Sequence, residues 1–170
     1  MVWGGGALLA VGLVIGLVAT SSTPLRHAPS FRLPRLGGGP AVGLPLPGTA
    51  THLPVVLTFF ASWCGPCHRD LPVIAAAARR EEAAGGRVQF LGVDGNDGAA
   101  AGLAFARRSG VTFPVAADAA SAVAPRFTLD GYPDTVFIDA TGQIVGTVRG
   151  PVSRATLDRW LARLAPASST

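Results

Sequence analysis

The chain has 170 residues, is 49% hydrophobic and has a mean hydropathy of +0.41, enough for one domain with a substantial core. All fourteen basic residues are arginine, which excludes lysine Schiff-base and lysine general-base chemistry. The net charge of +4 does not point to nucleic acid. The arginines are scattered, only Arg79-Arg80 and Arg107-Arg108 are adjacent, and no aromatic stripe accompanies them.

Val2 to Ala19 is an uncharged, apolar run, at the short end for a membrane span, and is expected to be an N-terminal anchor or a signal segment. Arg26, Arg32 and Arg35 follow this run and no basic residue precedes it, which by the positive-inside rule would hold the rest in the cytoplasm. Ser21 to Gly48 is rich in Pro, Gly and Ser and begins as a linker. Phe31-Arg32-Leu33 and Ala41 to Leu44 are expected to form a short hairpin across Gly37-Gly38-Gly39.

Val55 to Phe60 is β-branched and aromatic throughout, the pattern of a strand buried on both faces. It runs into Ala61-Ser62-Trp63 and then Cys64-Gly65-Pro66-Cys67-His68. A helix is expected from Cys64 to Ala84, kinked at Pro72 and stopped by Gly85-Gly86, with Pro66 in its first turn. Val88 to Val93 reads as a second buried strand and Gly98 to Ser109 as an alanine-rich helix. A strand beginning at Val115 and a short helix over Ala119 to Phe127 follow. Thr135 to Ile138 and Gln143 to Val148 are strands joined by the turn Asp139-Ala140-Thr141-Gly142. Ser153 caps a last helix that reaches Ala165, with Leu157, Trp160, Leu161 and Leu164 on one face. Pro166 to Thr170 is expected to be a disordered tail. The order implies an α/β fold with a mixed central sheet and helices on both faces.

Cys64 and Cys67 are the only cysteines. A pair three residues apart cannot staple distant parts of a fold, but it can close a small redox ring. The helix expected to start there offers unpaired N–H groups and the positive end of its dipole, which favour the thiolate of the first cysteine. The chemistry indicated is thiol–disulfide exchange. Two other readings use the same residues. Cys64 to His68 fits the c-type haem attachment pattern, but the remaining axial-ligand candidates are only Met1, His27 and His52. Two thiolates, with His68 or His52, could instead hold Cu(I) or zinc in a metallochaperone. Asp94 and Asp97 are expected to be solvated loop carboxylates, and Asp118, Asp130 and Asp134 to be turn formers.

The motifs Phe59-Phe60-Ala61-Ser62-Trp63-Cys64-Gly65-Pro66-Cys67, Leu71-Pro72, Gly92-Val93-Asp94, Phe113-Pro114-Val115, Gly131-Tyr132-Pro133-Asp134-Thr135 and Phe137-Ile138-Asp139 occur in an order that resembles the TlpA/ResA (DsbE-like) family of the thioredoxin superfamily. The resemblance runs from about Ala28 to Leu164. It implies a thioredoxin-like domain over residues 49–166, a linker and hairpin over 24–48, a transmembrane anchor or signal segment over 1–23 and a tail over 167–170. By the same resemblance Cys64 is the exposed nucleophile, Cys67 the resolving thiol and Pro133 a cis proline presenting the Tyr132 backbone to substrate. Trp63, Gly65, Pro66 and Asp70 support the site. Asp70 stands where the family commonly has Glu, and Thr58 where thioredoxins proper carry a buried Asp.

No cofactor is implied beyond the Cys64–Cys67 disulfide. The implied partners are proteins with thiols or disulfides, apocytochrome c among them, and a membrane thiol relay as electron donor. The implied location is membrane-anchored with the domain extracytoplasmic, or secreted if the leader is cleaved. Within the same chemistry, the alternative is an oxidant that forms disulfides in exported proteins.

Overall fold

In a computed structural model, the structure describes Met1, residues 26–46 and residues 53–165. The expected membrane segment and tail lie outside the described residues, and no helix among those described is long and apolar enough to cross a membrane.

Eight strands and three α-helices are described. The strands are β1 (Arg26–His27), β2 (Phe31–Leu33), β3 (Val42–Leu44), β4 (Val55–Phe60), β5 (Gln89–Gly95), β6 (Val115–Asp118), β7 (Asp134–Ile138) and β8 (Gln143–Arg149). The helices are α1 (Cys67–Ala83), α2 (Ala99–Arg108) and α3 (Arg154–Leu164), with a 3-10 helix at Ala124–Phe127. The main sheet has the order β1-β8-β7-β4-β5-β6. Strands β4, β5 and β6 are parallel, whereas β7 runs antiparallel to β4, β8 to β7 and β1 to β8. The mixed sheet is therefore as expected.

All six residues of β4 are buried, because a central strand has both faces covered. Side chains alternate along it. Val55, Leu57 and Phe59 meet Leu91, Val93, Val136 and Ile138 beneath the β2–β3 hairpin and the 3-10 helix. Val56 turns the other way, towards Ile74 and Ala77 of α1, Phe137, and Leu157 and Leu161 of α3. On that same face Phe60 packs against Phe105 of α2, with ring centroids 5.9 Å apart. Helical segments thus cover both faces. Residues Cys67, Leu71, Ile74, Ala75 and Ala78 recur along α1 at three- and four-residue spacing, which gives it one buried stripe. Pro72 lies inside α1 without ending it, and after Ala83 the Gly86 N–H returns to the Glu81 carbonyl at 2.8 Å. Ser153 caps α3 by accepting the Thr156 N–H, as its sequence position requires.

Three expectations need correction. First, α1 begins at Cys67, not Cys64, because two successive turns through Ser62-Trp63 and Gly65-Pro66 occupy the preceding residues. Second, Ala119 to Phe127 forms only the four-residue 3-10 helix. The Asp118 carboxylate takes the N–H groups of Ala122 and Val123, and Pro125 has none to donate. Third, the segment read as a linker builds the edges of the sheet. Arg26 and His27 pair with Ile144 and Gln143 on β8, while Pro34 to Leu36 runs along β6, with Leu36 N–H to Val115 O at 2.8 Å and Ala117 N–H to Pro34 O at 2.9 Å. Arg26 and His27 thus extend the sheet beyond the start of β8, and Pro34 to Leu36 lines the outer edge of β6. The hairpin itself is as expected, with Phe31 opposite Leu44, and Gly37, Gly38 and Gly39 all take positive φ that other residues resist.

Leu157 is fully buried between α3 and the sheet. Leu157→Ala is expected to cost about 2–5 kcal/mol of stability, seen as a lower denaturation midpoint with an unchanged slope. An unchanged midpoint would show that α3 is not part of the cooperative core.

Candidate active site

The site is assembled at the end of β4. The strand delivers Ala61 to Cys64 into a turn, and α1 begins three residues later, so both cysteines sit where strand, turn and helix meet. Cys64 and Cys67 are joined as a disulfide with S–S 2.04 Å and Cα–Cα 5.3 Å. The Cys67 backbone N–H is shared between the Cys64 carbonyl at 3.1 Å and the Cys64 sulfur at 3.2 Å, so the first N–H of α1 lies against the sulfur of the more accessible cysteine. Pro66 occupies the N-cap with φ −60°.

Accessibility corrects one expectation. Cys64 is not an exposed residue: it keeps 4% of its surface and Cys67 keeps none. The order between the two cysteines is the one an attacking and a resolving thiol need. The surface around them belongs to Trp63, which is 58% exposed, and to Gly65 and Pro66.

The supporting residues converge from separate parts of the chain. The Trp63 indole N–H donates to the Asn96 carbonyl at 2.8 Å, and its ring meets Tyr132 edge to face at 5.7 Å. Tyr132 packs beside the apolar cluster that holds Cys64, Cys67, Phe60 and Leu71. The Tyr132-Pro133 bond is cis, and Pro133 immediately precedes Asp134, the partner of Phe59 at the end of β4. Burial, followed by the charges of Asp118 and Asp94, raises the Tyr132 phenol above its usual range, against the lowering effect of the Ser121 hydroxyl.

Asp70 is buried on α1, one turn beyond Cys67, and accepts the Val152 N–H at 2.6 Å. Burial pushes its carboxyl up to about 6, opposed by that hydrogen bond and aided by nearby Asp134. Thr58 and Thr135 face each other in register on β4 and β7, both fully buried, with hydroxyl oxygens that have no partner among the described residues.

Asp94, expected to be a solvated loop carboxylate, is instead 2% exposed on β5. Asp118 is buried and forms a turn as expected, accepting the N–H groups of Ala122 and Val123, while Asp134 is the first residue of β7 and accepts the Gly150 N–H. Asp97 accepts the N–H and hydroxyl of Ser62. Asp130 is exposed and pairs with Arg149. Sequence reading missed Asp94 because its burial depends on Gly102 of α2, where a Cβ would lie 1.8 Å from the Asp94 Oδ2. His68 does not stand free as a ligand: its Nε2 lies 2.9 Å from the Ser62 carbonyl and its ring against Phe105. His27 is in β1, and His52 lies outside the described residues.

Residues 24–147 match the AhpC/TSA family. The chain belongs to that family. Within the thioredoxin superfamily it is ResA/DsbE-like. It is 28% identical over 112 residues to the thiol-disulfide oxidoreductase ResA of Geobacillus kaustophilus, covering 66% of this chain and 63% of that protein. The ResA of Bacillus subtilis is 25% identical over 116 residues, covering 68% of this chain and 64% of that protein. The chain thus matches less than two thirds of the length of these relatives. Among solved structures it is similar to a putative thiol:disulfide interchange protein DsbE from Chlorobium tepidum (TM-score 0.70, 25% identity, 81% of this chain and 94% of that one). It is also similar to MTB DsbF (TM-score 0.68, 29% identity, 79% and 95%). The fold is thioredoxin-like.

Because the Asp70 carboxyl is raised in the folded state, its contribution favours folding at low pH and is lost as pH rises through about 6. Asp70→Asn, which keeps an oxygen for Val152, is expected to flatten the fall in melting temperature between about pH 4 and pH 7 by a few degrees. An unchanged slope would contradict the buried, protonated carboxyl.

Proposed function

We propose that this chain is a thiol–disulfide oxidoreductase that reduces disulfides in protein substrates outside the cytoplasm, tethered by its N-terminal apolar run. The observation that carries the reading is the Cys64–Cys67 disulfide at the head of α1, with the Cys67 N–H on the Cys64 sulfur. A helix N-terminus stabilises thiolate, and the thiolate is the nucleophile.

In the reduced protein the Cys64 thiolate attacks one sulfur of a substrate disulfide. A Cys64–substrate mixed disulfide forms, and the other substrate sulfur leaves as thiolate and takes a proton. Cys67 then loses its proton and attacks the Cys64 sulfur. The Cys64–Cys67 bond forms, the substrate's second thiolate leaves, and two electrons have passed to the substrate. The Asp70 carboxyl, on the same buried face as Cys67, is the group at this end of α1 suited to exchange a proton near neutral pH. A dithiol donor resets the disulfide by the reverse steps. The membrane relay and the apocytochrome c substrate that the family resemblance implies fit this direction.

The reducing direction is supported by Gly65-Pro66 between the cysteines, the spacer of thioredoxin-like reductants, whose potentials lie at about −270 mV against about −120 mV for strong oxidants. Equilibrating the full chain in detergent against thiol–disulfide buffers is expected to give a value close to the former. A value close to the latter would turn the assignment to disulfide formation in exported proteins.

Cys67→Ala is expected to accumulate a mixed disulfide with a reducible protein substrate, visible on a non-reducing gel. Cys64→Ser is expected to lower turnover to background, and retained activity in that variant would overturn the mechanism.

A further inference from the structure

Met1 apart, Trp63 is the one large apolar side chain exposed among the described residues, and it directly precedes Cys64. Exposed aromatic rings are the common anchors of protein–protein contacts. A ring on a turn is ordinarily free to swing, and this one is held from two sides. Its indole N–H donates to the Asn96 carbonyl at 2.8 Å, and its ring meets Tyr132 edge to face at 5.7 Å. Tyr132 is fixed in turn, because its hydroxyl shares a hydrogen bond of 2.5 Å with the Ser121 hydroxyl. The phenol oxygen lies over Gly95, where a Cβ would stand 2.0 Å from it.

Both lines of contact end on one atom. The Asp118 carbonyl accepts the Asn96 N–H at 3.0 Å and the Ser121 N–H at 2.8 Å. Asp118 also stands opposite Gly95 where β5 and β6 end, so the anchor is the sheet itself. The Asp118 carboxylate takes the next two N–H groups, those of Ala122 and Val123, which leaves Ser121 little freedom.

The backbone is strained at these two places. Asn96 and Ser121 have φ of +52° and +51°, and Thr128 is the only other non-glycine residue among those described with a positive φ. Asparagine visits this left-handed region readily and serine much less so. Glycine would adopt it freely. A serine at 121 is therefore explained by what glycine lacks there, the hydroxyl that meets Tyr132. Strained residues held in place by their surroundings collect at the working parts of proteins.

We propose that Ser121 is a positioning residue for the exchange reaction: acting through Tyr132, it holds Trp63 as a fixed platform on which a protein substrate lies beside Cys64. The proposal rests on the exchange reading of the site and adds how a protein substrate is recognised there. A platform already ordered spares the complex the entropy of ordering it. The hold is therefore expressed in binding and not in the sulfur chemistry.

The test uses the full chain in detergent, reducing insulin with dithiothreitol as the dithiol donor. Ser121→Gly is the main variant, since it removes the hydroxyl and suits the left-handed backbone. It is expected to raise KM about fivefold with kcat within about twofold, the mark of lost binding with the chemistry intact. Tyr132→Phe removes the other half of the same hydrogen bond and should raise KM equally. The double variant should be no worse than either single one, because all three delete one bond. An unchanged KM in Ser121→Gly, a loss confined to kcat, or additive effects in the double variant would each overturn the role of Ser121.

The hold itself is read with the Cys64–Cys67 bond intact, from the fluorescence anisotropy of Trp63. Subtracting the Trp63→Phe signal removes Trp3 and Trp160. Ser121→Gly is expected to lower the anisotropy, and an unchanged value would overturn the proposal whatever KM does. Failure of the wild type to reduce insulin would instead overturn the exchange reading, with the hold on Trp63 still visible in the anisotropy.

Discussion

The contact between the Cys67 N–H and the Cys64 sulfur, 3.2 Å long, is the interaction on which the rest of the molecule converges. It exists because a buried strand ends within seven residues of a helix start, and both must be held for the sulfur to meet the helix N-terminus. β4 is fixed by β5 and β7 on either side, and α1 by its stripe of Leu71, Ile74, Ala75 and Ala78 against the sheet. Fully burying side chains the size of Leu71 and Ile74 contributes roughly 1.5–3 kcal/mol each. That is ample to hold both ends of the turn, and the turn residues themselves bury little: Trp63, Gly65 and Pro66 face solvent.

A turn with so little burial needs other restraints, and here they are polar. Asp97 and His68 hold Ser62, and Asn96 holds Trp63. The carboxylates of this end of the sheet are placed by the fold with unusual economy of partners: Asp70 on Val152, Asp134 on Gly150, Asp118 on Ala122 and Val123. Three of these acceptors order the backbone that surrounds the site. Asp94 differs, since one of its oxygens has no hydrogen-bond partner among the described residues and its neighbour is another acid.

How much of this could be read in the sequence depends on the range of the cause. β4 was legible residue for residue, because burial on both faces leaves an unbroken apolar run. Ser153 as the cap of α3 and the hairpin across Gly37-Gly38-Gly39 are local events with local signals. The cis bond before Pro133 followed from the family resemblance and from nothing in the residues alone. β1 was illegible: Arg26 and His27 are exposed, do not alternate, and become a strand only because β8 lies beside them. The short helix after β6 failed as a prediction because Asp118 captures two of the N–H groups a longer helix would need. Asp94 was misread for a similar reason. Its burial is licensed by a glycine on α2, which is not visible from its own neighbourhood in the chain, and that burial, more than the nearby Asp97, raises its carboxyl.

The account makes Cys64 the thiolate because of where α1 begins. The most direct measurement is the pH dependence of iodoacetamide alkylation at each cysteine of the reduced full chain, resolved by peptide mass. The account predicts that Cys64 reacts well ahead of Cys67, with an inflection below the value of about 8.5 for a free thiol. Equal rates, or a faster Cys67, or a Cys64 inflection at or above the free value, would contradict it.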